Sequence, residues 1–238
     1  MPEHTVASFD VELQGLRSAI MEMGGVAEKM LSEATSALVR RDVELARVVV
    51  EMDSRLDQIQ REIEERAVLI IAKRQPMAVD LREVISAIRI ASDIERIGDM
   101  AKNIGKRTLA VSGQFEPQKV VLGVNRMSDM VLAQLKDVLD AYSQNNVAVA
   151  LDVWERDGAT DALYTSLFRE LLTYMMEDPR NITFCTHLLF TAKNVERIGD
   201  HTTNIAETVH YLVTGQTIAG ERPKKDRTST ESVRGADA

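Results

Sequence analysis

The chain has 238 residues, 45% hydrophobic and 28% charged, with a formal net charge of −8 and a pI near 5.2. That balance lacks the basic face needed to neutralise phosphates, which excludes direct nucleic-acid binding from the expectations. Few aromatics and only five prolines suit an all-α chain better than a sheet.

Helical periodicity dominates from the start. Between residues 10 and 39, Leu13, Leu16, Ile20, Met23, Ala27, Met30, Leu31, Ala34 and Leu38 follow i, i+3, i+4, i+7 spacing and predict a long helix. "RRD" at 40–42 reads as a connection. A second helix is expected over 43–74, with Leu45, Val49, Met52, Leu56, Ile59 and Ile63 on one face, and Pro76 ends it. A third is expected over 78–111, followed by the turn "SGQFEP".

The pattern then repeats, with helices expected over 118–143, 146–177 and 181–213. Met23 pairs with Met127, Asp42 with Asn146, Pro76 with Pro179 and Asn103 with Asn204, at a nearly constant offset. Identity clusters at polar positions, which core packing does not force. The expected architecture is therefore all-α, two tandem three-helix bundles related by internal duplication. The repeats run over 8–113 and 118–215, and a polar tail over 216–238, without apolar period, is expected to be disordered.

The lone Cys185 allows no internal disulfide. The N-terminal "MPEHTVASFDVEL" lacks the basic and apolar regions of a signal peptide, and apolar runs such as "AVLIIA" at 67–72 are too short to span a bilayer. A cytoplasmic protein without membrane insertion is expected.

The pentapeptide ERIGD occurs twice, at 95–99 and at 196–200. It places Glu95 with Asp99, and Glu196 with Asp200, four apart on one helix face. On the third helix the stripe Leu81, Val84, Ile85, Ile88 leads into Glu95, Asp99 and Asn103; on the sixth, Ile182, Cys185, Leu189 and Ala192 lead into Glu196, Asp200 and Asn204. This stripe is expected to face the core. The opposite side, with Ile90, Ile94, Ile97, Ala101 and Ile104, is expected to meet the other repeat or a partner. Antiparallel pairing about Pro76 brings Asp53 and Asp57 level with Glu95 and Asp99, and pairing about Pro179 brings Asp157 and Asp161 level with Glu196 and Asp200.

Four ionised carboxylates at one height repel one another and call for cations, protonation or raised pKa values. Arg55, Arg96 and Arg197 lie roughly 100–200° round their helices from the neighbouring acids and are expected to face elsewhere. A metal held by oxygen ligands, Mg²⁺, Mn²⁺ or iron, resolves the repulsion. A solvated face with local ion pairs is the alternative. Di-metal bundles place acids on paired helices in this way, but no histidine occupies a Glu-x-x-His position, and His201 points about 100° from Asp200. Gly98, between the acids, allows close approach at a helix-propensity cost of about 1 kcal/mol.

"QPMAVDLREVISAIRIASDIERIGDMAKNI" and "NVERIGDHTTNIAETVHYLVTGQ", set in two three-helix repeats, resemble the PhoU family of accessory regulators of bacterial phosphate-specific transport. The resemblance covers residues 8 to 216 and includes all four motif pairs. It implies a non-enzymatic negative regulator that couples a phosphate ABC transporter to a membrane sensor histidine kinase. It also implies metal ions or clusters bound through the motif acids, and a homodimer, peripheral to the inner membrane through its partners. Against it stands a carboxylate-bridged metal bundle with an enzymatic or storage role.

Overall fold

The computed structural model describes residues 2–112, 118–220 and 222. Among them are six α-helices and no strand: α1 (Pro2–Arg40), α2 (Val43–Arg74), α3 (Val79–Val111), α4 (Gln118–Gln144), α5 (Val147–Glu177) and α6 (Ile182–Thr214). The helix boundaries agree with the periodicity to within a residue or two, except that α1 starts well before residue 10.

The duplication extends to the turns. Asp42 caps α2 by accepting from the Leu45 N–H at 2.9 Å. Asn146 caps α5 at the equivalent place, accepting from Ala148 and Val149 at 3.1 and 3.2 Å. Just before each cap a non-glycine residue takes a left-handed backbone, Arg41 at φ 59° and Asn145 at φ 51°. Asn accepts that conformation readily; for Arg it costs about 1–2 kcal/mol. The chain ends α6 with Gly215 at φ 75°, whose N–H returns to the Tyr211 carbonyl.

α1, α2 and α3 pack together, as do α4, α5 and α6; α3 then packs on α6, and α1 on α4. One continuous apolar core results, running from Ile20, Met23 and Met30 through Ile94 and Ile97 to Val195, Ile198 and Val209. Each third helix of a repeat therefore has neighbours on three sides. Contacts between Arg89 and Tyr211 and between Arg107 and Phe190 show that α3 and α6 run antiparallel along this seam.

That arrangement corrects the expected core stripe on α3. Ile90, Ile94, Ile97, Ala101 and Ile104 are fully or almost fully buried. Of the stripe leading to Glu95, Leu81 is exposed, Ile85 and Ile88 are half-buried, and only Val84 is fully buried. On α6 only Ile182, at the head of the stripe, is exposed; Cys185 and Ala192 are fully buried and Leu189 half-buried, so that stripe does face the core. The acids of α3 thus lie at the margin between core and solvent, because the wider apolar face is the one shared by the two repeats.

Candidate functional site

In the first repeat, Asp53 and Asp57 lie half-buried on α2 and face Glu95 and Asp99 on α3. The close approach of these helices depends on Gly98, whose missing side chain leaves room for Leu56. Lys102, one turn beyond Asp99, donates from its ammonium to Asp53 Oδ2 at 2.7 Å and to Asp99 Oδ1. A single ammonium spanning both carboxylates demonstrates the predicted shared height. Burial works to lower the Lys102 pKa, but the bonds to Asp53 and Asp99 outweigh it and leave it raised. Burial, reinforced by the Asp99 charge, raises the carboxyl of Glu95.

The second cluster is deeper. Asp157, Asp161 and Glu196 are each almost fully buried, and Asp200 is half-buried. Thr203 stands where the first repeat has Lys102, and its hydroxyl reaches Asp157 Oδ1 at 3.0 Å. The cation on Asp157 and Asp200 is Arg222, from beyond the last helix, while Lys193 on α6 serves Glu196. The guanidinium donates to Asp157 Oδ2 at 2.8 Å and Oδ1 at 3.0 Å, to the Asp200 carbonyl at 3.1 Å and to Asn204 Oδ1 at 3.3 Å. It also pairs with Asp200 Oδ1 at 2.9 Å. Burial raises the Glu196 carboxyl, opposed by Lys193, whose ammonium lies 2.9 Å from Glu196 Oε2.

Lys102 and Arg222 were missed by sequence reasoning that weighed only Arg55, Arg96 and Arg197. Those three do face away for the most part. Arg55 pairs with Glu22, Arg197 is exposed, and the exposed Arg96 comes within 3.7 Å of Glu95. Lys102 had a signal, a cation three residues after a motif aspartate. Arg222 had none, since its segment carries no period. Of the expected disordered tail, residues 221 and 223–238 lie outside the described residues.

Asn103 is exposed, whereas Asn204 sits between the cluster and the seam, donating to Asp93 Oδ1 of α3 at 3.3 Å. His201 turns from the acids, as expected, and places Nδ1 2.8 Å from the same Asp93 oxygen. Among the described residues, no three His, Cys, Asp or Glu side chains converge into a ready-made metal site. The donors nonetheless suit a hard cation in type and charge, being all carboxylate, and two of the four in each cluster already share a positive group. A metal would take the place of that group.

Fold and clusters together define a class: a duplicated all-α bundle carrying one carboxylate cluster per repeat, each spanned by an organic cation. The PhoU domain model matches the chain twice, over residues 20–108 and 124–209. The chain belongs to the PhoU family. It is 56% identical over 227 residues to the phosphate-specific transport system accessory protein PhoU homolog of Rhizobium meliloti (strain 1021), covering 95% of this chain and 96% of that one. A homolog of the same description from Caulobacter vibrioides is 51% identical, covering 95% and 98%. The crystal structure of PhoU from Pseudomonas aeruginosa superposes with a TM-score of 0.85 at 39% identity, covering 87% of this chain and all of that one. The phosphate transport system regulatory protein PhoU from Streptococcus pneumoniae gives 0.82 at 30%, covering 88% and 99%.

Proposed function

We propose that this protein is a negative regulator of phosphate uptake and phosphate-starvation signalling. It couples a phosphate ABC transporter to a sensor histidine kinase by binding both, without catalysing a reaction. The observation that carries this reading is the near full-length match to phosphate-transport accessory proteins. No helix among the described residues is long and apolar enough to cross a membrane, in keeping with a role exerted through membrane partners. Exposed apolar side chains on α2 and its turn into α3, Val68, Leu69, Met77 and Val79, offer surface for a partner or a second copy.

In the same reading, each cluster takes a divalent hard cation. Asp53, Asp57, Glu95 and Asp99 supply the oxygens in the first repeat; Asp157, Asp161, Glu196 and Asp200 supply them in the second. The ion provides charge neutralisation that fixes the packing of the paired helices.

The test is deletion of the gene followed by a phosphate-starvation reporter in high phosphate. The reporter is expected to come on, and to be silenced again by the restored chain. Repression that persists in the deletion strain would refute the reading.

A further inference from the structure

The two acid clusters differ in where their counterion comes from. Lys102 grows from the same helix as Asp99, so its backbone stays within one turn of that acid whatever the chain does elsewhere. In the second repeat that position is the uncharged Thr203, and the charge arrives on Arg222, after α6 has ended at Gly215. Between them, Gln216, Thr217, Ala219 and Gly220 are exposed. Gln216 is tied back to α6 through Thr214 and His210, and Arg222 anchors the far end of the segment.

Arg222 engages both oxygens of Asp157, the least exposed of the motif acids. A metal ion would have to compete with the guanidinium for those oxygens, against the repulsion of its positive charge. Conversely, Asp157 is too buried to be left ionised without a partner, because an uncompensated buried charge is strongly unfavourable. Departure of the arginine therefore requires another cation, or a proton, at Asp157 rather than a simple opening.

We propose that the segment after α6 is a strap, and that its Arg222 and a divalent cation compete for Asp157 and Asp200. Binding of the cation at the second cluster releases the strap, while the first cluster, neutralised by Lys102 from within its helix, has no detachable counterion. The exchange rests on the cation-binding reading given above. It makes residues 216–220 a report of cation occupancy in one repeat only.

The test uses the full chain with a fluorophore on Ala219→Cys, Cys185 being buried and slow to label. Label anisotropy and calorimetric Mg²⁺ binding are measured together, in this background and with Arg222→Gln or Lys102→Gln added. Titration with Mg²⁺ is expected to lower the anisotropy to the value of the metal-free Arg222→Gln protein. Arg222→Gln is expected to bind Mg²⁺ about tenfold more tightly, and Lys102→Gln to leave the strap signal unchanged. Binding seen only in Arg222→Gln, with the parent's anisotropy unmoved by Mg²⁺, overturns the exchange, because the cation then does not displace the arginine. Binding of equal affinity with and without Arg222, at constant anisotropy, overturns the strap and leaves the cation reading standing. Absence of binding in every variant removes both.

Discussion

Gly98 and Leu56 meet so closely that a Cβ on the glycine would stand 2.0 Å from Leu56 Cδ2. Leu56 is fully buried and cannot swing aside without disturbing its neighbours. At the equivalent Gly199 an added Cβ would lie 3.4 Å from Thr160 Cγ2, an ordinary contact. The two ERIGD glycines should therefore respond in opposite ways. Gly98→Ala is expected to lose about 1–3 kcal/mol through overpacking. Gly199→Ala should be neutral or gain up to about 1 kcal/mol in helix propensity. Urea midpoints of the two variants decide, and equal responses would count against the close packing described for the first repeat.

Lys102 is expected to matter for stability as well as for charge. Lys102→Met leaves Asp53 and Asp99 facing each other without the ammonium. Charge-assisted hydrogen bonds contribute about 1.5–3 kcal/mol, and partial exposure of this group reduces that to about 1–2 kcal/mol. Thermal denaturation should show the loss, and Mg²⁺ should recover part of it in the variant. A variant as stable as the parent would show that the bridge contributes nothing.

The raised carboxyls give stability a definite pH slope. Glu95 and Glu196 hold their protons above the ordinary value of 4.5, chiefly because burial disfavours their charged forms. As pH rises past 4.5, the unfolded chain releases these protons first. The folded chain then binds more protons than the unfolded one, and stability falls across that window until the folded groups have also ionised. Glu196→Gln removes one such contribution. Its melting temperature relative to the parent should shift in the variant's favour between about pH 4 and about pH 7 without divalent ions. A difference that stays flat over that range contradicts the assignment.

The seam between the repeats offers a measurable coupling. Asp93 on α3 meets His201 on α6 at 2.8 Å. A double-mutant cycle of Asp93→Ala and His201→Ala should return an interaction of about 0.5–1.5 kcal/mol. A coupling indistinguishable from zero would mean that the Asp93–His201 contact adds nothing to the joining of α3 and α6.

Much of this molecule could be read directly from the residue pattern, for identifiable reasons. Long apolar periods, Pro76 and Pro179, and polar identities at a fixed spacing located six helices and their duplication. The heights of Asp53 and Asp99 followed from the turn position alone, because antiparallel helices have few registers. Which face of α3 is central was not accessible, since both of its faces are apolar and only tertiary packing decides which has three neighbours. The counterions escaped for different reasons. Lys102 stood at a helical spacing from Asp99 but is a lysine within an acidic stripe. Arg222 reaches its acids across a break in regular structure, where periodicity carries no information.

Asn204 gives its Nδ2 to Asp93 of the first repeat and its Oδ1 to Arg222, each at 3.3 Å. An amide cannot turn over without exchanging donor for acceptor, so the two partners jointly select one orientation of the group. The C-terminal arginine, the last helix and the opposite half of the molecule are thus joined through one planar side chain. The second acid cluster and the first repeat share the orientation of one amide.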